Sequence, residues 1–338
     1  MSQSTVQRTA LVLCLALTSA CAHAADLVVA AFGGIWEESL RQCYIAPFEK
    51  LTGKKVDVVL GQPSQWLHQV AASQARPPID VMFTPPDNAL EAGKLGLVDK
   101  LDAAKTPHLK EIPQRFIDSV DGYGAAINYG AMGVLYNTKA VANPPKTWKE
   151  YVEGTVAGKW KTAMPSINYL NGSNILWMYA RLYGGSVTNI SPGMAQVKRM
   201  IDSGNMKLWV DANQVLNDLK SGEIDLAMYW DGRAWAFIDT NPDFKYYTPP
   251  DSVAVPSYVQ KVKNAPDYAW QFLDVVMSAE PQACFANKIR YGVTNKNVAY
   301  AVKVKPQITE LSLVTLPPKD IEKHKPAWVE QWNKEIGR

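Results

Sequence analysis

The feature that most constrains the fold is an alternation of strand-like and helix-like segments that begins near residue 26. A short apolar run from Leu27 to Phe32 is broken by Gly33-Gly34, and apolar residues then recur at helical spacing. Strand-like stretches return at 55–60 and 78–83, each followed by a helical stretch. This β-α-β-α-β order predicts a parallel sheet that is covered by helices on both faces.

A second α/β unit follows the first. It is preceded by the apolar stretch YGAAINYGAMGVLY at 123–136, which suggests two strands end to end that cross from one domain to the next. Strand-like segments at 160–164 and 224–230 alternate with helical ones, and SVAVPSYV at 252–259 suggests a return strand.

The first residues predict a secretory signal peptide. Arg8 gives a positive start, ALVLCLAL at 10–17 is a short apolar region, and Ala22-His23-Ala24 is an A-x-A site, so cleavage is expected after Ala24. A membrane anchor is disfavoured because a span needs about 20 apolar residues. Lipid attachment at Cys21 is the weaker alternative, since the leucine usual three positions earlier is missing.

Charge gives no reason to expect a nucleic-acid partner. Loss of residues 1–24 removes one basic residue, Arg8, and leaves 34 basic against 32 acidic residues. No basic stretch is concentrated enough to neutralise a run of phosphates.

The expected mature chain keeps two cysteines, Cys43 and Cys284. In an exported protein such a pair favours a disulfide. The alternative is two separate buried thiols. The bridge requires Cα atoms within about 7 Å, so the two helix-like segments would have to pack together.

The chain resembles the periplasmic solute-binding proteins of ABC importers, in the group that includes spermidine/putrescine-, opine- and γ-aminobutyrate-binding proteins. The resemblance is carried by the order and spacing of four segments and of the tail APDYAWQFLDVVMSAEPQACFANKIRYGVTN. The four segments are AFGGIWEESLRQCYIAPFEKLTGKKVDVV, PIDVMFTPPDNALEAGKLGLVDKLD, INYGAMGVLYNT and GEIDLAMYWDGRAW.

The resemblance implies the two-lobed type II α/β fold, with a mainly parallel sheet in each lobe and crossover strands between the lobes. The expected lobes are residues 26–128 with 251–338, whose tail could pack on either lobe, and residues 129–250. It also implies a monomer in the periplasm that delivers a small-molecule ligand to an inner-membrane ABC permease and its ATPase. No cofactor, metal or catalytic residue is expected.

Ligand would lie in the cleft, where loops follow the carboxyl ends of the strands. Several candidates have a structural alternative: a glycine turn for Gly33-Gly34, core packing for Trp36 and a helix cap for Ser173. The candidate ligand-binding residues are Gly33, Gly34, Trp36, Thr84, Tyr129, Asn168, Tyr169, Ser173, Trp230, Asp231 and Arg233.

The segment MYWDGRAW at 228–235 departs from the polyamine-binding pattern. By the resemblance, Trp230 matches an aromatic residue of the polyamine pocket, and an acid lies three positions on. Here Arg233 stands in that place. A guanidinium would repel a diamine and could hold a carboxylate by two parallel hydrogen bonds. Asp231 could neutralise Arg233 or take a ligand ammonium, and Arg233 could also be an ordinary surface residue.

The expected ligand is therefore a small solute with a carboxylate, such as an ω-amino acid or a betaine. One alternative is a polyamine binder that uses Asp87, Asp231 or Asp251. A second is an enzyme on the same fold, although no clustered histidines, nucleophile motif or metal-ligand spacing appears in the sequence. A third is a ligand sensor for a membrane receptor.

Overall fold

The computed structural model describes residues 25–299, 314 and 317–337. The signal peptide expected at residues 1–24 lies outside the described residues. Within the described part of the chain, no helix is both long and apolar enough to cross a bilayer.

The first lobe is built on a six-stranded sheet with the order β11-β4-β10-β3-β1-β2. Its strands are β1 (Leu27–Ala31), β2 (Val56–Leu60), β3 (Val81–Thr84), β4 (Ala125–Tyr129), β10 (Ser257–Lys261) and β11 (Gly292–Val293).

The second lobe is built on a five-stranded sheet with the order β7-β6-β8-β5-β9. Its strands are β5 (Met132–Asn137), β6 (Thr162–Pro165), β7 (Met206–Trp209), β8 (Leu226–Trp230) and β9 (Phe244–Tyr247).

Both sheets are mixed, and in each one the strands of the β-α-β units run parallel to one another, as expected. In the first sheet β1 pairs with β2 and β3 in parallel, whereas β10 and β11 pair antiparallel with their neighbours. In the second sheet β5 pairs antiparallel with β8 and β9. The reversed strands follow from the crossover: β5 and β10, which enter their lobes directly from it without an intervening helix, run against the β-α-β strands.

Helices flank both sheets. In the first lobe they are α1 (Ile35–Leu40), α2 (Ala46–Thr52), α3 (Pro63–Ala72), α4 (Pro86–Lys94), α5 (Arg115–Asp118), α11 (Tyr268–Met277) and α12 (Ala279–Ile289), with a π-helix at Arg41–Ile45 and a 3₁₀ turn at Pro107–Glu111. In the second lobe they are α6 (Trp148–Val156), α7 (Gly172–Leu182), α8 (Ser191–Asp202), α9 (Ala212–Ser221) and α10 (Asp231–Ile238). The last helix is α13 (Pro318–Glu335).

Two crossover segments lie side by side between the lobes. The amide of Met132 donates to the carbonyl of Val253 at 3.0 Å, and the amide of Val255 donates to the carbonyl of Gly130 at 2.9 Å. The stretch 123–136 thus contributes β4 to one sheet and β5 to the other, as its length and small residues predicted. The exact lobe boundaries stay a prediction.

The C-terminal helix α13 packs on both lobes and belongs to neither alone. Lys325 pairs with Asp87 of α4 at 2.7 Å in the first lobe. On the next turn Trp328 donates to the carbonyl of Val187 at 3.1 Å in the second lobe. Trp328 and Trp332 are buried, so this helix joins the lobes by apolar packing as well as by polar contacts.

A disulfide joins the π-helix to α12 within the first lobe. The Cα atoms of Cys43 and Cys284 lie 5.5 Å apart, inside the range that a bridge requires. The adjacent rings of Tyr44 and Phe285 stack with centroids 5.0 Å apart. The bridge therefore links an early segment to a late one through a buried contact.

Candidate functional site

The main cavity lies in the cleft between the lobes and has a volume of about 220 Å³. Such a volume is smaller than the cavities that hold drug-sized ligands. Its walls come from loops of both lobes and from the crossover segments. Its lining residues are Phe32, Gly33, Trp36, Gly61, Gln62, Pro85, Asn128, Tyr169, Leu170, Asn171, Val210, Asp211, Ala212, Asn213, Trp230, Arg233, Val255, Pro256, Ser257 and Tyr291.

Arg233 reaches into this cavity from the first turns of α10. Its side chain is buried, and its Nη2 donates to the carbonyl of Gly33 in the other lobe. Its Cζ lies 5.7 Å from the centre of the Trp230 ring. Tyr229 lies beside it, but burial raises the pKa of that phenol to about 12, so it stays neutral. Arg233 is thus a buried cation that has no acidic partner among the described residues.

Aromatic rings form one wall beside Arg233. The indole N–H of Trp230 donates to Oδ1 of Asn171 at 2.9 Å, which orients the ring. Tyr169 lies edge-on to Trp209 with centroids 5.2 Å apart, and burial raises its pKa. On the opposite lobe Trp36 lines the cavity while it also packs against Phe83, at a centroid distance of 4.9 Å.

Among the described residues, Asp231 is not part of the cavity lining and forms no ion pair with Arg233. The two residues are two positions apart on a helix, which places them about 200° apart around its axis. Asp231 Oδ1 accepts from the amide of Gly232 at 2.7 Å and lies over Gly130 of the crossover. A Cβ at Gly130 would lie 2.2 Å from that oxygen, so the carboxyl occupies the space that this glycine leaves.

Burial raises the pKa of Asp231 to about 7, which gives a testable pH dependence. In the unfolded chain this carboxyl titrates near 4, so the native state binds the extra proton between about pH 4 and pH 7. Asp231 therefore destabilises the fold increasingly as pH rises through that window. We therefore compare the unfolding free energies of Asp231→Asn and the wild type. The difference between them should grow in favour of the variant by about 2 to 4 kcal/mol as the pH rises from 4.5 to 8. Urea titrations of both proteins measure it, and a difference that is constant with pH would contradict it.

Three other candidates, Thr84, Tyr129 and Ser173, lie outside the cavity lining. The hydroxyl of Thr84 donates to Oε1 of Gln260, on the adjacent strand β10, at 2.8 Å. It is therefore used inside the first lobe. Tyr129 stacks on Phe116 at 5.7 Å, because successive residues of a strand point to opposite faces and its neighbour faces the cleft. Ser173 is buried in the first turn of α7.

Two candidates lie at the edge of the cavity. Asn168 lines a smaller cavity of about 40 Å³ that shares Tyr169, Leu170 and Asn171 with the main one. Gly34 has φ 69°, and a Cβ there would lie 3.0 Å from Oδ1 of Asn213 in the other lobe. The lobes therefore approach each other closely at this glycine. Of the eleven candidates, five line the main cavity: Gly33, Trp36, Tyr169, Trp230 and Arg233.

Several polar residues of the lining were not among the candidates predicted from the sequence. Asn128 and Ser257 come from paired positions of β4 and β10, and Gln62 precedes α3. A signal for Asn128 existed, because it is a lone amide in the apolar run GAAINYG. The described residues contain no cluster of three or more histidine, cysteine, aspartate or glutamate side chains that could hold a metal ion.

Comparison with known families gives one match over most of the chain. A family described as bacterial extracellular solute-binding protein matches residues 43–310. No curated protein matched the chain.

Solved structures of the same fold are numerous. An extracellular solute-binding protein from Bordetella parapertussis is 26% identical, with a TM-score of 0.72, and the alignment covers 92% of this chain and 98% of the other. The protein MotA from A. tumefaciens B6, solved with glucopine, is 20% identical with a TM-score of 0.78 and covers 92% and 99%. The Atu4243 GABA receptor is 19% identical with a TM-score of 0.76 and covers 92% and 97%.

Proposed function

The chain belongs to the family of bacterial extracellular solute-binding proteins, and from that membership we propose that it captures a small solute bearing a carboxylate. The solute would be bound in the periplasm and handed to an inner-membrane ABC permease with its ATPase. The family binds solutes and is not a family of enzymes, which supports a binding role over the enzyme alternative. The protein would act as a monomer after cleavage of its signal peptide at Ala24.

The observation that carries the carboxylate proposal is the buried guanidinium of Arg233 in the cleft, which has no acidic partner among the described residues. Arginine has five N–H donors in a fixed fork, and the carbonyl of Gly33 takes one of them. An uncompensated buried charge is costly, so an anion in the cavity would be held strongly. The Trp230 and Tyr169 rings beside it would cover the apolar or cationic part of the same solute.

The polyamine alternative is less well supported. It requires acids in the cavity, but Asp87 pairs with Lys325 at 2.7 Å and Asp251 pairs with Arg181 at 2.8 Å. Asp231 lies behind the crossover. Asp211 lines the cavity, but its Oδ1 caps α9 by accepting from the amide of Asn213 at 2.7 Å. A diamine would thus share the cavity with the Arg233 cation, and Asp211 would be the acid nearest to hand among the lining residues.

Two of the similar structures agree with this ligand class. The Atu4243 protein is a GABA receptor, and MotA was solved with glucopine. A role as a ligand sensor for a membrane receptor would use the same cleft, so it changes the partner and not the ligand chemistry.

A thermal-shift screen tests the proposed function. The panel pairs each amino acid with its N-trimethyl counterpart, for glycine, β-alanine and γ-aminobutyrate, and adds putrescine and acetate. We expect at least one carboxylate solute to raise the melting temperature by about 5 °C at 100 times its Kd, because a ligand of the folded state stabilises it by about 2.7 kcal/mol there. Putrescine should give no shift. A shift by putrescine alone would favour the polyamine alternative.

A further inference from the structure

We propose that Asn128 forms a second hydrogen bond to the solute in the cleft and selects solutes that carry an N–H or O–H donor. This proposal rests on the function proposed above. Asn128 lines the cavity and is 1% exposed. Its Oδ1 has no hydrogen-bond partner among the described atoms. Buried acceptors in native proteins are nearly always paired, so this oxygen calls for a donor that the protein itself does not provide.

The position of Asn128 is held rigidly by the sheet. Its backbone lies between Ser257 of β10 and Val293 of β11. It is also the penultimate residue of β4, directly before the crossover. Pairing on both sides fixes the backbone and with it the direction in which the side chain leaves the strand, so only rotation about χ1 and χ2 remains. Asn128 therefore enters the cavity lining from a fixed position next to both crossover segments.

None of the donors among the described lining residues forms a hydrogen bond with this oxygen. The indole N–H of Trp230 donates to the side chain of Asn171, and one N–H of Arg233 donates to the carbonyl of Gly33. A solute held by its carboxylate at Arg233 extends the rest of its body along the cavity. A donor on that part of the solute would form a hydrogen bond to Oδ1 of Asn128, whereas a quaternary nitrogen has no hydrogen to donate.

The inference narrows the ligand class. An amino or hydroxy carboxylate satisfies both Arg233 and Asn128. A betaine satisfies Arg233 and leaves the Asn128 carbonyl buried and unpaired. Leaving a buried acceptor unpaired corresponds to roughly a 10- to 100-fold loss of affinity. Of the two ligand types that the sequence left open, the structure thus favours the amino acid over the betaine.

The test compares the amino acid and its N-trimethyl counterpart by calorimetry, for glycine, β-alanine and γ-aminobutyrate. The proteins are the wild type, Asn128→Leu, Asn128→Asp and the control Asn189→Leu, which changes an exposed amide outside the cavity lining. Leucine matches asparagine in size but accepts no hydrogen bond. Aspartate keeps the acceptor. Circular dichroism melts of each variant establish that it folds.

The wild type and Asn189→Leu should bind the amino acid of at least one pair about 10-fold or more tightly than its trimethyl counterpart. Asn128→Leu should lose that preference, and Asn128→Asp should keep it.

A preference that survives in Asn128→Leu would come from size alone and would overturn the role of Asn128. Equal binding of both members by the wild type would overturn it too, while the carboxylate function stands. Binding of putrescine with no binding of any carboxylate would overturn the proposed function and this inference together. If Asn128→Leu does not fold, loss of preference in Asn128→Asp overturns the inference.

Discussion

Arg233→Glu is expected to weaken binding of the best carboxylate solute by at least about 100-fold. Truncating or reversing one partner of a buried charge pair costs a few kcal/mol of binding, and 1.4 kcal/mol is tenfold. The glutamate would face the Gly33 carbonyl and the carboxylate of the solute, so repulsion adds to the lost hydrogen bonds. Isothermal calorimetry at fixed pH measures the change.

A milder variant separates binding from folding. Because Arg233 is 8% exposed, a glutamate there leaves a buried charge and lowers stability as well. Arg233→Gln removes the charge without adding one and should still lose about 10-fold or more in affinity. Arg181→Gln is the matched control, since this arginine is in the same lobe but pairs with Asp251 on the surface. Unchanged affinity in Arg233→Gln would show that Arg233 only joins the lobes.

Removing the disulfide is expected to give the largest stability effect. Cys43 and Cys284 are separated by 241 positions, so the bond closes most of the chain into one loop. Chain-entropy arguments assign a loop of this length about 5 kcal/mol of stabilisation, through the unfolded state. The double variant Cys43→Ser/Cys284→Ser should unfold at a clearly lower urea concentration than the oxidised wild type.

Reduction of the wild type provides the control for that variant. The reduced wild type should unfold close to the double variant, since both lack the bridge while only one carries serines. The affinity for the carboxylate solute should be little changed, because neither cysteine lines the cleft. Equal urea midpoints for the oxidised and reduced wild type would contradict the prediction.

The sequence by itself determined the strands and helices that depend on the pattern of neighbouring residues. Apolar periodicity and the Gly33-Gly34 break predicted β1 and α1, and the length of 123–136 predicted one strand in each lobe. The strand end at MYW and the family resemblance also predicted that Arg233 would lie in the cleft beside Trp230, although Asp231 and Gly232 begin helix α10 and do not form a turn. These features arise from residues within one or two turns of each other.

Tertiary structure alone decided which side chains meet across the cleft. Asn128 faces the cavity and Tyr129 does not, a difference of one strand position that depends on which face of the sheet meets the second lobe. Asp231 lies over Gly130, a contact 101 positions apart in the chain whose geometry depends on both crossovers. The joining of the lobes by α13 likewise depends on where the chain returns after residue 317. Local periodicity sets the direction of a side chain relative to its own element, whereas the neighbour it meets is set by packing between elements distant in sequence.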